Sequence, residues 1–144
     1  MKLWMTLPVS AVCLLFAPAA RAQWGLSQFD TNKTVTLDGY LSKVDLDGRE
    51  PGGCAVAINL NVKDGAGKTV VWSIAVLEPS GAMCNFARES LRVGKRLQVT
   101  GNPIRVSATS QAKTRMESPL EAERRQAGRV LYGKTFTVEG RRFP

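Results

Sequence analysis

The chain has 144 residues, with 20 Lys or Arg, 12 Asp or Glu and no His, for a formal net charge of +8. That length holds one domain with a modest core and leaves no room for a second. The absence of histidine removes Ser-His-Asp and Cys-His nucleophile systems, histidine metal ligands and histidine general bases.

Residues 1–22 read as a cleaved secretory signal peptide: Lys2 as the basic start, an apolar run from Leu3 to Phe16, and Ala20-Arg21-Ala22 before the cut. The run is shorter than the ~20 residues that span a bilayer, and Pro8 and Pro18 interrupt it. Cys13 lacks the small residues before it that a lipoprotein signal needs. Cleavage removes Lys2 and Arg21 and takes the net charge of the domain, residues 23–144, from +8 to +6. No later apolar run is long enough for a membrane, so a periplasmic or secreted soluble product is expected.

Residues 23–32 are polar with two aromatics and read as an ordered arm. From Lys33 the pattern turns strand-like: Val35, Leu37 and Leu41 alternate with polar residues, and Gly39 sits where a long strand could bend. Asp45 to Gly53 is rich in Gly, Pro and charge and reads as a loop. Val56, Ile58, Leu60 and Val62 then alternate strictly. The turn Asp64 to Lys68 leads into Thr69–Leu77. Pairing Lys63 with Thr69 sets Val62 opposite Val70, Leu60 opposite Trp72, Ile58 opposite Ile74 and Val56 opposite Val76, all on one buried face. The other face carries Ala55, Ala57, Asn59, Asn61, Val71, Ser73, Ala75 and Leu77, and is poor in aromatics.

After Pro79, Met83, Phe86, Ala87 and Leu91 fit one side of a short helix. Leu97 and Val99 mark a strand that ends at Gly101-Asn102-Pro103. Residues 107–117 show no period. Ser118-Pro119-Leu120-Glu121 is a helix start with a stop at Gly128. Arg129–Glu139 reads as a last strand with a kink at Gly133, and residues 140–144 as a basic tail. The order is that of an all-β fold with small α content: a five-stranded OB-like barrel, a short helix between strands three and four, and an inserted helix before the last strand. The insertion runs from about 106 to 127. An open β-sandwich would need more strands.

Cys54 starts strand two and Cys84 follows strand three, at the same end of the hairpin. In an oxidising compartment an even pair reads first as a disulfide, which would add about 3–4 kcal/mol. The alternative is a Cu(I) site from Cys54, Met83 and Cys84, since soft sulfur ligands suit that ion. No cofactor is otherwise implied. Asp45, Asp47 and Glu50 read as a solvated loop rather than a catalytic carboxylate pair.

The basic surplus falls in two groups. Arg88, Arg92, Lys95 and Arg96 gather at the helix-to-strand turn; Lys113, Arg115, Arg124, Arg125 and Arg129 lie in or beside the insertion, and Arg141 and Arg142 close the chain. Arg88, Arg92, Lys95, Arg96, Arg124 and Arg125 are the candidates for contacting an anion or an acidic partner. Barrels that bind nucleic acid add aromatics on an exposed sheet face, where bases stack. Since the outer hairpin face has Ala, Asn and Ser instead, nucleic acid is not expected as a partner. Trp72 is assigned to the core, and Trp24 and Phe29 to an exposed contact or a plug over one barrel end.

The stretches FDTNKTVTLDGYLSKVD (29–45), GKTVVWSI (67–74), RESLRVGKRLQVTGNPIR (88–105) and TFTVEGRRF (135–143) resemble a family of short exported bacterial proteins of uncharacterised function. The resemblance covers most of the chain after the leader. It implies a compact OB-like barrel and an exported location, and brings no activity with it. Members often carry histidines after the leader and after the first strand; this chain has Gln23-Trp24-Gly25 and Asp47-Gly48-Arg49-Glu50-Pro51 there.

The expectation is a monomeric, exported, non-enzymatic binding or accessory module. It would contact an envelope protein or a small anionic ligand through its basic loops. Soft-metal handling by the two cysteines and Met83 is the alternative.

Overall fold

The computed structural model describes residues 24–49, 53–114 and 117–144. The expected leader, residues 1–22, lies outside them, as do Glu50 and Arg115. Strands β1 (Val35–Arg49), β2 (Gly53–Lys63), β3 (Thr69–Ala75), β4 (Arg96–Pro103), β5 (Val130–Val138) and β6 (Arg141–Phe143) form one sheet in the order β3-β2-β1-β4-β5-β6. Parallel pairing of β3 with β5, from Ser73 opposite Val130 to Ala75 opposite Tyr132, closes the first five strands into a barrel. Helix α1 (Gly81–Ser90) joins β3 to β4; α2 (Val106–Thr109) and α3 (Pro119–Gln126) lie between β4 and β5. This is the expected OB-type arrangement.

Strand β1 holds the barrel together by serving two neighbours. Val35–Tyr40 pairs with β4, and Tyr40–Arg49 with β2. The hand-over is tight at Gly39, where a Cβ would lie 2.1 Å from the Asn61 carbonyl oxygen. A bulge follows between Leu41 and Lys43. It reverses the inward parity: Leu37 and Leu41 fill the core before it, and Val44 and Leu46 pack on the core after it. Asp45–Arg49 is therefore strand, not loop. The charges of Lys43, Asp45 and Asp47 hide an alternation that continues in shifted phase.

The hairpin register is as expected from Lys63 opposite Thr69 through Ile58 opposite Ile74. The β2–β3 ladder ends at Ala57 opposite Ala75, so Val56 and Val76 pack on the core without facing each other as a pair, and Val56 lies opposite Leu46 of β1 instead. Ile58, Leu60, Ile74, Leu97, Val99, Leu131 and Phe136 are fully buried inside the barrel, and Trp72 is half-buried against them. Ser80 caps α1 by accepting the Met83 N–H at 3.1 Å. The helix turns Met83, Cys84, Phe86 and Ala87 inward. A disulfide ties Cys84 to Cys54 on β2, with the Cα atoms 5.9 Å apart.

Two further segments differ from expectation. The basic tail forms a short strand, β6, whose Phe143 stacks on Phe86 with ring centroids 5.1 Å apart. Turn residues Glu139 and Gly140, both at positive φ, allow that hairpin. The N-terminal arm neither plugs a barrel end nor exposes Phe29. Phe29 bridges to Ile104 and is fully buried with Ala75, Ile104, Ala108 and Val130 in a second core outside the β3–β5 seam. Trp24 lies edge-on to Phe29 at 6.4 Å and is half-buried. Among the described residues no helix is long and apolar enough to cross a membrane.

Candidate anion-binding cleft

Three environments hold the basic residues that bear on a binding site. At the first, α1 leads into β4. Arg88 and Arg92 are exposed and bond to Asn85 Oδ1 and the Leu91 carbonyl oxygen at 3.4 and 3.0 Å. Lys95 pairs with Glu139, and Arg96 forks onto Asp38 at 2.9 and 2.8 Å. These hydrogen bonds hold the Asp38 and Glu139 carboxyls below the usual carboxylate range. The shallow groove between Asp38, Arg96, Gln98, Thr137 and Glu139 thus has its charges matched in pairs. It offers an anion no uncompensated cation. Arg141 lies 3.5 Å from Glu89, a third exposed pair.

The second environment is interior. Arg125, an expected surface contact, is 2% exposed. Its guanidinium forks onto Glu117 at 2.7 and 3.0 Å and donates to the carbonyls of Ala108 and Gln111 at 2.7 and 2.9 Å. Arg125 is therefore withdrawn as a ligand-binding residue: it joins α2 to α3. The helical spacing gives the reason, since Ala122 and Arg125 share the buried stripe of α3 while Leu120 faces out.

The third environment collects cations without matching carboxylates. Lys68, Thr69, Val70 and Val71 from the start of β3, Leu120, Glu123 and Arg124 from α3, and Arg129 line a cleft of about 230 Å³. Three cations face one carboxylate there. Local structure sets each in place. Asp64 Oδ1 accepts the N–H groups of Ala66 and Lys68, both at 2.9 Å, which fixes the hairpin turn that presents Lys68. Ser118 and Glu121 cap α3 reciprocally. Gly128, at φ +72°, ends the helix, and the Arg129 N–H donates back to the Arg124 carbonyl at 2.8 Å. Arg124 leans over the hairpin and donates to Asn59 Oδ1 and Ser73 Oγ at 3.3 and 3.2 Å. Both acceptors are neutral, so its charge stays uncompensated.

Of the six expected contact residues, the structure places one, Arg124, in this cleft. Arg129 was recognisable as basic, and Lys68 reads in sequence as a turn residue. What unites them is the β3–β5 seam, a long-range pairing that no local pattern announces.

Cys54 and Cys84 are bonded to each other. In that form neither sulfur is a thiolate, so a Cu(I) site with Met83 would need the reduced chain. Among the described residues no three His, Cys, Asp or Glu side chains are grouped to hold a metal ion.

No protein-family model matches the sequence, and no curated protein does. The fold is similar to solved structures at low identity. The mitochondrial single-stranded DNA binding protein Rim1 from S. cerevisiae is 13% identical, with a TM-score of 0.46, over 74% of this chain and 92% of that one. The N-terminal domain of the PriB protein from Thermoanaerobacter tencongensis is 17% identical, with a TM-score of 0.42, over 74% of this chain and 96% of that one.

One expectation falls here. The expectation that nucleic acid is not a partner is withdrawn. That exclusion assumed an open outer hairpin face without aromatics, whereas Ser73 and Ala75 are 7% and 5% exposed and Arg124 crosses Asn59 and Ser73.

Proposed function

We propose that this protein is an exported, non-enzymatic binding module that holds an acidic group in the cleft between α3 and β3. The observation that carries the reading is the convergence of Lys68, Arg124 and Arg129 on one cleft against Glu123 alone. At the α1–β4 turn Lys95 and Arg96 already hold carboxylates, and Arg88 and Arg92 line neither cleft. Partly enclosed charges attract an anion more strongly than charges in open solvent, and salt screens them less. Export to the periplasm rests on the leader at residues 1–22, and the Cys54–Cys84 disulfide suits such an oxidising space.

The test is a titration of the exported protein with a small tricarboxylate at low ionic strength, followed by amide chemical shifts. Shifts centred on Lys68–Val71 and Arg124–Arg129, lost in Arg129→Ala and retained in Arg92→Ala, support the cleft. Equal response of the two variants overturns it. N-terminal sequencing of the exported form checks the leader, with Gln23 expected as the first residue.

A further inference from the structure

We infer that the cleft receives an extended acidic segment of a partner protein, which adds to the open edge of β3 as a further strand. The inference rests on the cleft as the binding site and names the kind of occupant.

Strand β3 has two edges. One is paired with β2 over the whole strand, from Thr69 opposite Lys63 to Ala75 opposite Ala57. The other meets β5 only from Ser73 onward, because β5 begins at Val130 and that residue lies opposite Ser73. The Ser73 N–H donates to the Arg129 carbonyl across this seam at 3.0 Å. Backbone groups of a strand alternate in direction, so the N–H and C=O of Val71 and Thr69 point the same way as those of Ser73. Beyond Arg129 the chain has turned away into α3, and no strand lies opposite them. Among the described residues, Thr69 and Val71 have no backbone partner on that side.

Unpaired strand edges are templates for another strand, and β3 itself carries neither of two common protections against such pairing. There is no proline in β3, and no charged side chain within it. The bonding groups of Thr69 and Val71 lie about 7 Å apart along the strand, which matches the repeat of an added strand. Recognition beyond the backbone comes from the same cleft. Lys68, Arg124 and Arg129 flank the edge, and Leu120, 61% exposed, offers one apolar contact at the rim. The complementary segment is extended, acidic and carries an apolar residue among its carboxylates. A second copy of this chain fits less well, since its surplus charge is positive.

The experiment uses the exported chain and a blocked peptide of alternating glutamate and valine as the probe. A second peptide carries an N-methyl group on every residue, which leaves its charge intact and removes the N–H donors from both of its edges. Strand addition predicts saturable binding, slowed amide exchange at Thr69 and Val71, and about tenfold weaker binding of the methylated peptide. Equal binding of the two peptides, with the Arg129→Ala loss retained, overturns strand addition and leaves the anion cleft standing. Binding of neither, with no response to the tricarboxylate, overturns both. Displacement of the peptide by a more tightly held oligothymidylate, or burial of the β3 edge in a dimer seen by sedimentation, overturns the peptide assignment.

Discussion

Arg125 and Glu117 face each other as a two-bonded fork with only 2% and 6% of their side chains exposed. Around the fork, the Arg125 guanidinium also reaches the carbonyls of Ala108, Gln111 and Ala112, and Glu117 Oε1 accepts the Thr114 N–H at 3.2 Å. These bonds hold the irregular segment after α2 against α3, and α3 is one wall of the cleft. The binding surface thus depends on a charge pair that no ligand touches.

Removing one member of this pair is expected to cost far more than removing both. Glu117→Gln leaves a buried guanidinium without a counter-charge and should lower stability by about 3 kcal/mol. The double substitution Glu117→Leu with Arg125→Met removes both charges and should cost less than the single one. Urea denaturation of the three proteins measures the order. A single variant as stable as the wild type would show the pair to be solvated.

The same pair predicts a pH dependence. The hydrogen bond from Arg125 holds the Glu117 carboxyl below the usual glutamate range, with a smaller contribution from the Thr114 N–H. A depressed carboxylate stabilises the fold at pH above its unfolded value, and that contribution is lost as pH falls through the folded one. Stability should therefore decline on acidification, and Glu117→Gln should flatten the decline. Asp38 and Glu139 are shifted the same way through exposed pairs. Added salt suppresses their share and leaves that of Glu117.

Arg96→Ala provides the contrast. Its fork to Asp38 has good geometry, yet the two side chains are 69% and 41% exposed. Exposed pairs contribute little to stability, because solvent and salt screen them. The variant is expected to unfold at nearly the same urea concentration as wild type and to bind the tricarboxylate with unchanged affinity. A loss of binding in Arg96→Ala would move the site to the outer face of β1 and β4.

Backbone closeness gives a sharper expectation at two glycines. A Cβ on Gly39 would sit 2.1 Å from the Asn61 carbonyl oxygen, and one on Gly101 would sit 1.8 Å from that of Tyr132. Both contacts are with backbone of a neighbouring strand, so no side chain can swing away. Gly39→Ala and Gly101→Ala should each destabilise by about 2 kcal/mol or more, and their denaturation midpoints are the check. Gly65→Ala, where the added methyl meets nothing within 4 Å, is the control.

These glycines also show what a sequence can announce. Strict alternation in β2, the apolar spacing of α1 and the capping pair of α3 are local physics, and each falls where the periodicity puts it. The bulge after Leu41 is local too, but it reverses which residues point inward, so the second half of β1 is disguised as a charged loop. Lys68, Arg124 and Arg129 meet for a different reason. Their approach depends on β3 closing against β5 and on α3 folding back over that seam. Arg125 is the clearest case: beside Arg124 in sequence, it differs only by the helical rotation that carries it inside.

The disulfide supplies the last prediction. Cys54 and Cys84 close a loop with a sequence separation of 30 and join β2 to α1. Restricting the unfolded chain by a loop of that size is worth about 3–4 kcal/mol. Reduction should lower the melting temperature by about 10 °C. The chain has three cysteines, and the third, Cys13, lies in the expected leader. Thiol titration without reductant should therefore find no free thiol in the exported form and one in an uncleaved, oxidised precursor. Two free thiols in the exported form would remove the staple and return Cys54, Met83 and Cys84 as a soft-metal ligand set, so one measurement tests both the cross-link and the cleavage that precedes it.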